Sequence, residues 1–533
     1  MPVRKLKFRA GVNRENTRYT NEEGWYVSDK VRFRQGTPEK IGGWIRYSAN
    51  QFNGVCRSLW NWVTNTGLNL LGVGTNTKFY IENIGVYNDI TPAGLAAGSA
   101  ISYAATGWGT STWSTGTWGF SSGSSIINLR LWSSANWGED LIINPRGEAI
   151  YYWDATSGLS SPAVNITSLA GSSNAPTLAN YIFISDISRF LFVFGCDDIA
   201  GGIGYLDPML IRWADQESLT DWLPASTNQS GSLRLSHGSE IITSVQTRQE
   251  IFTLTDSAAY SLQYSGPPTV WGAQLLGDNI SIISPNAAIF ASGNVFWMGV
   301  DKFYVYDGRV QTLPCDLRRY VFSDINLVQS LQVFAGTNEG FNEVWWFYCS
   351  ADSTTVDRYV VYNYVEKIWY YGTMARTAWS DSGLRDYPQA ADYNGRILNQ
   401  EFGVDDGAGD SVAGIDAYIE SAEFDIEDGD RFMFVYRTIP DLTFTGSTDD
   451  SAPEVVFSIY PKRSSGSPAE TPATGTVAAT DYPVDEYTGQ IYTRFRGRQA
   501  YIKVRSTKVG TTWQLGSPRM DIRPDGRATG KGV

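Results

Sequence analysis

The chain has 533 residues, 42% of them hydrophobic and 14% aromatic, enough to bury more than one core without a disulfide framework or a structural metal. Its 19 Trp, 30 Tyr and 53 Gly predict strands and tight turns in place of helices, and so a mainly β fold. The net charge of −13 is unevenly spread: residues 1–46 carry 11 Lys+Arg against 5 Asp+Glu and residues 494–533 carry 10 against 2, leaving 21 against 48 between them. A body this acidic repels nucleic acid at long range, which argues against a sequence-reading DNA-binding domain.

The N-terminus, MPVRKLKFRAGVNREN, is basic but lacks an apolar h-region, and the sequence holds no run of 18 apolar residues. A soluble chain without a secretory address is expected. From Ala10 to Trp44 charged and aromatic residues alternate without helical period, and KVRFRQG has the in-out rhythm of an edge strand. Residues 1–46 are therefore read as an N-terminal arm and edge strand. The arm either lies across a neighbour or forms the first strand of the chain's own sheet. In the first case Arg14, Arg18, Arg32 and Arg34 would reach acidic partners, with Trp25, Tyr26 and Trp44 as apolar anchors. Deleting residues 1–34 would then spare the fold.

Residues 47–398 form the predicted body. LLGVGTNTKFYIENIG (70–85), LIINPRGEAIYYWDAT (141–156), IFTLTDSAAYSLQYSG (251–266) and VFWMGVDKFYVYDGRV (295–310) repeat one hairpin, an apolar run, a polar turn and an aromatic strand. The last two copies start 44 residues apart, a period typical of β-propeller blades, which bury their faces only by stacking; coincidental hairpins in a sandwich are the alternative. Together with EVWWFYC (343–349) and RYVVYNYVEKIWYYG (358–372), the hairpin at 295–308 is expected to build one antiparallel sheet of about four strands. Between them DLRRYVFSDINLVQSLQVF (316–334) predicts a short helical insertion of one or two helices with a cap near Ser323 and Asp324. The tract GWGTSTWSTGTWGFSSG (107–123) reads as an inserted surface loop with Trp at every fifth position.

Beyond residue 399 the sequence turns acidic and then strongly alternating in AYIESAEFDI and RFMFVYRTI, with SSGSPAETPATGTVAATD (464–481) as a loop. A separate β-sandwich-like domain is placed at 399–533.

Chemistry-bearing motifs are absent or fail on inspection. Cys56, Cys196, Cys315 and Cys349 form no CxxC pair and are read as buried free thiols. GFSSG (119–123) matches G-x-S-x-G, but Ser121 lacks a preceding strand and a following helix, and His237 is the lone histidine. No P-loop occurs. DIEDGD (425–430) places Gly at position 5 and Tyr436 where an EF-hand needs Glu, so a solvated turn is the simpler reading, with an irregular calcium site the alternative. No catalytic, cofactor-binding or metal residue is assigned.

Three stretches, GVNRENTRYTNEEGWYVSDKVRFRQGTPEKIGGW (11–44), FNEVWWFYCSADSTTVDRYVVYNYVEKIWYYG (341–372) and WQLGSPRMDIRPDGR (513–527), resemble the nozzle proteins of short-tailed bacteriophages (podoviruses), also called tail tubular protein B or head-to-tail stabilisation proteins. The resemblance runs from about residue 8 to 527. It implies a virion structural protein, not an enzyme: a propeller-containing subunit of a hexameric ring below the portal and the tail adaptor, through which double-stranded DNA is retained and then ejected. It further implies contacts with tail fibre, spike or needle proteins, and assembly in the host cytoplasm. The competing reading is a β-propeller enzyme or lectin acting on surface polysaccharide, since two well-placed carboxylates suffice for glycoside hydrolysis.

Overall fold

A computed structural model describes residues 3–104, 126–199, 204–448, 452–464, 466–467, 469 and 480–527. The tract at 107–123, with Ser121, and most of the loop at 464–481 lie outside them. Among the described residues seven small sheets, antiparallel apart from one short parallel pairing of Asp406–Gly407 in the last, follow one another along the chain, in a largely β-strand fold. Six are four-stranded meanders. They start at Cys56–Val63, Trp132–Trp137, Ala179–Ile184, Ile241–Gln246, Ala288–Ala291 and Phe334–Asn338. The seventh comprises Ala378–Ser380, Gln389–Ala391 and Ile397–Gln400, and takes its next strand, Trp44–Arg46, from the N-terminus. The first strand of each sheet lies beside the first strand of the next, and that of the seventh lies beside that of the first.

Aromatic side chains fill the seams between these sheets. Phe79 meets Trp132 edge-on at 5.0 Å, Phe192 meets Trp271 at 4.9 Å, Phe252 stacks on Tyr306 at 4.4 Å, and Trp345 stacks on Trp379 at 5.8 Å. Offset and edge-on pairs of this kind add to the large apolar area each ring buries. Glycine makes the closest approaches possible. A Cβ on Gly336 would sit 2.5 Å from the Trp379 ring, and one on Gly74 2.8 Å from that of Trp132.

The four predicted hairpins all fall on the second and third strands of their sheets, for example Asn69–Thr75 with Phe79–Asn83 and Asn294–Met298 with Phe303–Tyr306. These strands are covered on both faces, so they are apolar throughout instead of alternating; Leu191–Asp197 and Glu343–Tyr348 are buried at every position. One expectation is corrected. The segment from Val295 to Met374 forms two sheets, because the hairpin at 295–306 gains Ala288–Ala291 and Val310–Leu313 as flanking strands, while 343–373 pairs with Phe334–Asn338. The helical insertion between them is an α-helix at Arg318–Ser323 and a 3-10 segment at Leu327–Gln332, the latter capped by Asn326.

The C-terminal strands build three further sheets, and each recruits N-terminal residues. Trp25–Asp29 is the edge of a five-stranded sheet through Ala417–Ser421, Gln499–Ser506, Glu454–Lys462 and Thr480–Asp485. Arg4–Lys5 pairs with Arg519–Arg527, which pairs with Arg431–Ile439. The hairpin Val31–Arg34 with Thr37–Lys40 joins Gln514–Leu515. The strands before residue 46 thus belong to the chain's own sheets, and one continuous core runs from Trp297 and Trp346 through Trp25, Val31 and Phe33 to Val435 and Val504.

Candidate functional site

Two places concentrate chemistry: the junction where the N-terminal strands enter the body, and the space enclosed by the first strands of the seven sheets.

In the strand Val31–Arg34, Val31 and Phe33 face one way and Arg32 the other, yet all three are buried because both faces are covered. Phe33 packs on Tyr370 at 5.8 Å. Arg32 donates from Nε and Nη2 to the two carboxylate oxygens of Glu343 at 2.9 and 3.1 Å, and from Nη1 to Glu401 Oε2 at 2.8 Å, with its guanidinium 3.6 Å from the Phe341 ring centre. Such a planar fork suits Arg and not Lys. Burial alone would lower the Arg32 pKa, but Glu343 and Glu401 outweigh it and hold the guanidinium well above its usual value. Tyr370 Oη and Trp345 Nε1 also donate to Glu343, while the Gly42 N–H and the Asn338 amide donate to Glu401. Every oxygen of both carboxylates therefore has a partner.

The remaining predicted interface residues are also engaged within the chain. Arg14 donates to Tyr371 Oη at 2.7 Å and lies over the rings of Tyr26 and Tyr320 at 4.8 and 4.3 Å. Arg18 pairs with Glu420 at 3.0 Å and covers the Tyr501 ring at 3.7 Å. Trp25 is buried against Phe8, and Trp44 donates its Nε1–H to Asp406 at 2.6 Å. Arg34 is exposed, within 5.4 Å of Phe341. Of the residues read as partner anchors, Trp25, Arg32 and Trp44 have side chains buried within the chain. Nearby Lys40 is buried with its Nζ donating to Thr511 O, and burial brings its pKa down to about 8.

The second place is a cavity of about 200 Å³ lined from the first strand, or the turn leading into it, of all seven sheets. Its wall combines hydroxyls, among them Ser58, Ser134 and Ser244, with the rings of Tyr181, Phe334 and Trp379. The 3-10 segment lies near one end, where Gln332 Oε1 accepts from Arg57 Nη2 at 2.8 Å, and its Nε2 donates to Gln329 Oε1 at 2.6 Å and Thr354 O at 2.8 Å.

The other singled-out residues sit as follows. Cys56, Cys196 and Cys349 are buried free thiols and Cys315 is partly buried; burial pushes Cys56 and Cys349 up to about 12. His237 lies in a bend with Nδ1 3.0 Å from Ser236 Oγ. Asp425 is buried and accepts from Tyr19 Oη at 2.7 Å, and no metal-ligating group of three acidic, His or Cys side chains occurs among the described residues. Glu343 and Glu401 escaped the sequence reading. The available signal was a single carboxylate heading the apolar run EVWWFYC, opposite one arginine in VRFR.

No family model matches the chain, and no curated protein matches it. Among solved structures the N-terminal domain of Nup159 is 10% identical with a TM-score of 0.37, covering 70% of this chain and 99% of that one. An S. cerevisiae complex of dbp5 with nup159 and gle1 contributes a chain at 11% identity and TM-score 0.35, covering 70% and 98%. The extracellular domain of a one-component system from B. thetaiotaomicron is 12% identical with a TM-score of 0.27, covering 64% and 41%. Likenesses at this level carry no argument about what the chain does.

Proposed function

We propose that the chain is the nozzle subunit of a short phage tail, built as a seven-bladed β-propeller joined to a C-terminal β-sandwich. The propeller reading is supported by the cyclic neighbour order of the first strands, by a cavity lined from all seven sheets, and by the N-terminal strand that completes the last of them. Closing the last sheet with a strand from the other end of the chain ties the ring shut, since its two ends cannot separate without breaking a sheet.

One observation carries the tail reading. The three stretches that resemble the nozzle family lie far apart in sequence, at 11–44, 341–372 and 513–527, yet they meet at one junction: Arg32 binds Glu343, Arg14 binds Tyr371, the N–H and hydroxyl of the adjoining Thr373 donate to Asp29, and Gln514 Nε2 donates to Thr37. The resemblance thus follows the seam that locks the two bodies together. A tube wall that retains a pressurised genome has to transmit load across such a seam without hinging, and a buried ion cluster framed by a continuous aromatic core does so. The subunit is expected six to a ring, with heterologous contacts that close. Imaging of assembled particles tests this directly: a sixfold ring containing this chain below the portal supports the reading. A stoichiometry other than six, or a chain absent from particles that cleaves or binds glycan, refutes it.

A further inference from the structure

The C-terminal sheet of Arg4–Lys5, Arg519–Arg527, Arg431–Ile439 and Phe495–Gly497 has two unlike faces. Met433, Val435, Phe495 and Met520 point inward and belong to the core that continues to Trp297 and Trp346. Side chains alternate along a strand, so Phe432, Phe434, Arg496 and Arg523 point outward, with Phe434 directly opposite Arg496 on one side and Arg523 on the other. The run IYTRFRG shows the alternation plainly: Ile491, Thr493, Phe495 and Gly497 are buried, while Tyr492, Arg494 and Arg496 are exposed.

The outward face is built from arginines and rings. The Arg496 guanidinium lies over the Phe432 ring at 4.2 Å and that of Arg494 over Tyr436 at 5.3 Å, and Tyr492 meets Tyr436 edge-on at 5.8 Å. A guanidinium stacked on a ring is held in place with its in-plane donors still available. Carboxylates are the minority here. Asp521 is shared by Arg437 at 3.9 Å and Arg523 at 3.5 Å, and Asp525 pairs with Arg496 at 2.6 Å. Arg494 makes no ion pair among the described residues.

Arginine interleaved with aromatic side chains is the composition of protein contact surfaces. Charge and position decide what covers this one. The opposing surface must be acidic, and residues 47–493 carry 48 Asp+Glu against 21 Lys+Arg. The chain's own body lies behind the inward face, through the shared core, so the carboxylates that meet the outward face come from another copy. A nucleic acid fits less well, since a stacked base needs an open ring face, and Arg496 and Arg494 already lie on two of the rings.

We infer that the outward face of this sheet docks on the acidic body of a second copy of the chain. Two such basic faces repel each other, so the contact is head to tail and not isologous. The inference deepens the ring reading and rests on it: it names the surface through which one subunit engages the next.

The test compares the full-length chain with a double variant, Arg494→Glu with Arg523→Glu, at two exposed positions whose change should leave the thermal melt intact. Sedimentation velocity over a concentration series, at about 50 and about 500 mM sodium chloride, should show self-association of the wild type that weakens with salt. In the variant it should be at least about tenfold weaker. Should the double variant not fold, Arg494→Gln alone must still weaken the association. A wild type that stays monomeric at both salt concentrations overturns the inference, as does association that the variants leave unchanged. Labelled oligothymidylate bound by the wild type and not by the variant, without self-association, reassigns the face to nucleic acid and overturns it too. Imaging of particles separates these outcomes from the ring reading. A sixfold ring that assembles equally well from the double variant removes the docking face alone, whereas salt-sensitive self-association with no ring in particles removes the tail reading alone.

Discussion

Replacing Arg32 by Met isolates the electrostatics of the junction, because Met keeps much of the apolar stem and removes only the charged fork. The variant leaves Glu343, whose side chain is 1% exposed, and Glu401, at 14%, without their cation. Breaking a buried pair in this way typically costs about 3–5 kcal/mol. The penalty at Glu343 has a ceiling, because the carboxyl can take up a proton instead. From an ordinary value of 4.5, protonation at pH 7 costs about 3.4 kcal/mol, and at pH 5 only about 0.7, at 1.36 kcal/mol per unit. Burial already pushes Glu343 upward in the native protein, with Arg32 opposing the shift; without Arg32 it rises further. A carboxyl whose folded pKa exceeds its unfolded value loses stability as pH rises through the window between them. Arg32→Met should therefore destabilise by about 3 kcal/mol at pH 7, and by roughly 2–3 kcal/mol less at pH 5. Urea unfolding followed by tryptophan fluorescence, with wild type measured beside the variant at each pH, reports the difference; Trp345 lies against the cluster. An equal loss at both pH values, or a loss below about 1 kcal/mol at pH 7, would refute the assignment of Arg32 as the cluster's counter-charge.

Gly336→Ala should lower stability by about 1–3 kcal/mol through overpacking against the Trp379 ring, read as a drop in the urea midpoint; an unchanged midpoint would mean that the sixth and seventh sheets are not held this close. Deleting residues 1–34 removes three strands and the Arg32 cluster, so circular dichroism should show loss of the cooperative melt, and a wild-type melt would show that the N-terminal strands are dispensable. Ellman's reagent should leave Cys56, Cys196 and Cys349 untouched in the native protein and react fully after denaturation; rapid native labelling of two or more thiols would contradict their burial. In an assembled ring the channel wall should carry more Asp and Glu than Lys and Arg, since each basic contact to a phosphate adds salt-dependent affinity that would hold the DNA back; inward-facing side chains with the opposite balance would leave the acidic middle of the chain as a solubility feature only.

The hairpins were legible because doubly covered strands are apolar without interruption, as in LLGVG and VFWMG, and because a tight polar turn separates them from an aromatic partner. The third sheet was missed although Leu191–Asp197 is as apolar as any strand in the chain. Its partner, Leu206–Trp213, follows after a Gly-rich connection that obscures the hairpin. First strands such as Ile241–Gln246 are partly polar where they face the enclosed cavity, so they lack a clear pattern. The role of the N-terminal strands could not be read locally at all. The alternation in VRFR marks a strand, but its charged face reads as solvent-facing until Glu343 and Glu401, more than 300 residues away, are brought to it. Long-range charge pairing leaves no periodic trace.

The closure of the seventh sheet by Trp44–Arg46 also dictates when the molecule can be finished. That strand leaves the ribosome early, whereas its neighbour Ile397–Gln400 is made about 350 residues later, which at roughly 5–20 residues per second is a delay of some 20–70 s. Throughout that interval Trp25–Asp29 and Trp44–Arg46 lack their partners and the local hairpin at 31–40 has only itself, so edges bearing Trp25, Phe33 and Trp44 are open to other nascent chains. The early sheets can form behind them, but the hairpin at 31–40 meets its C-terminal strand only after residue 515 emerges to join Thr37–Lys40. A circular permutant that places residues 1–46 after residue 527 would shorten the wait, and its yield of soluble protein in a cell-free synthesis reaction would measure how costly the native order is.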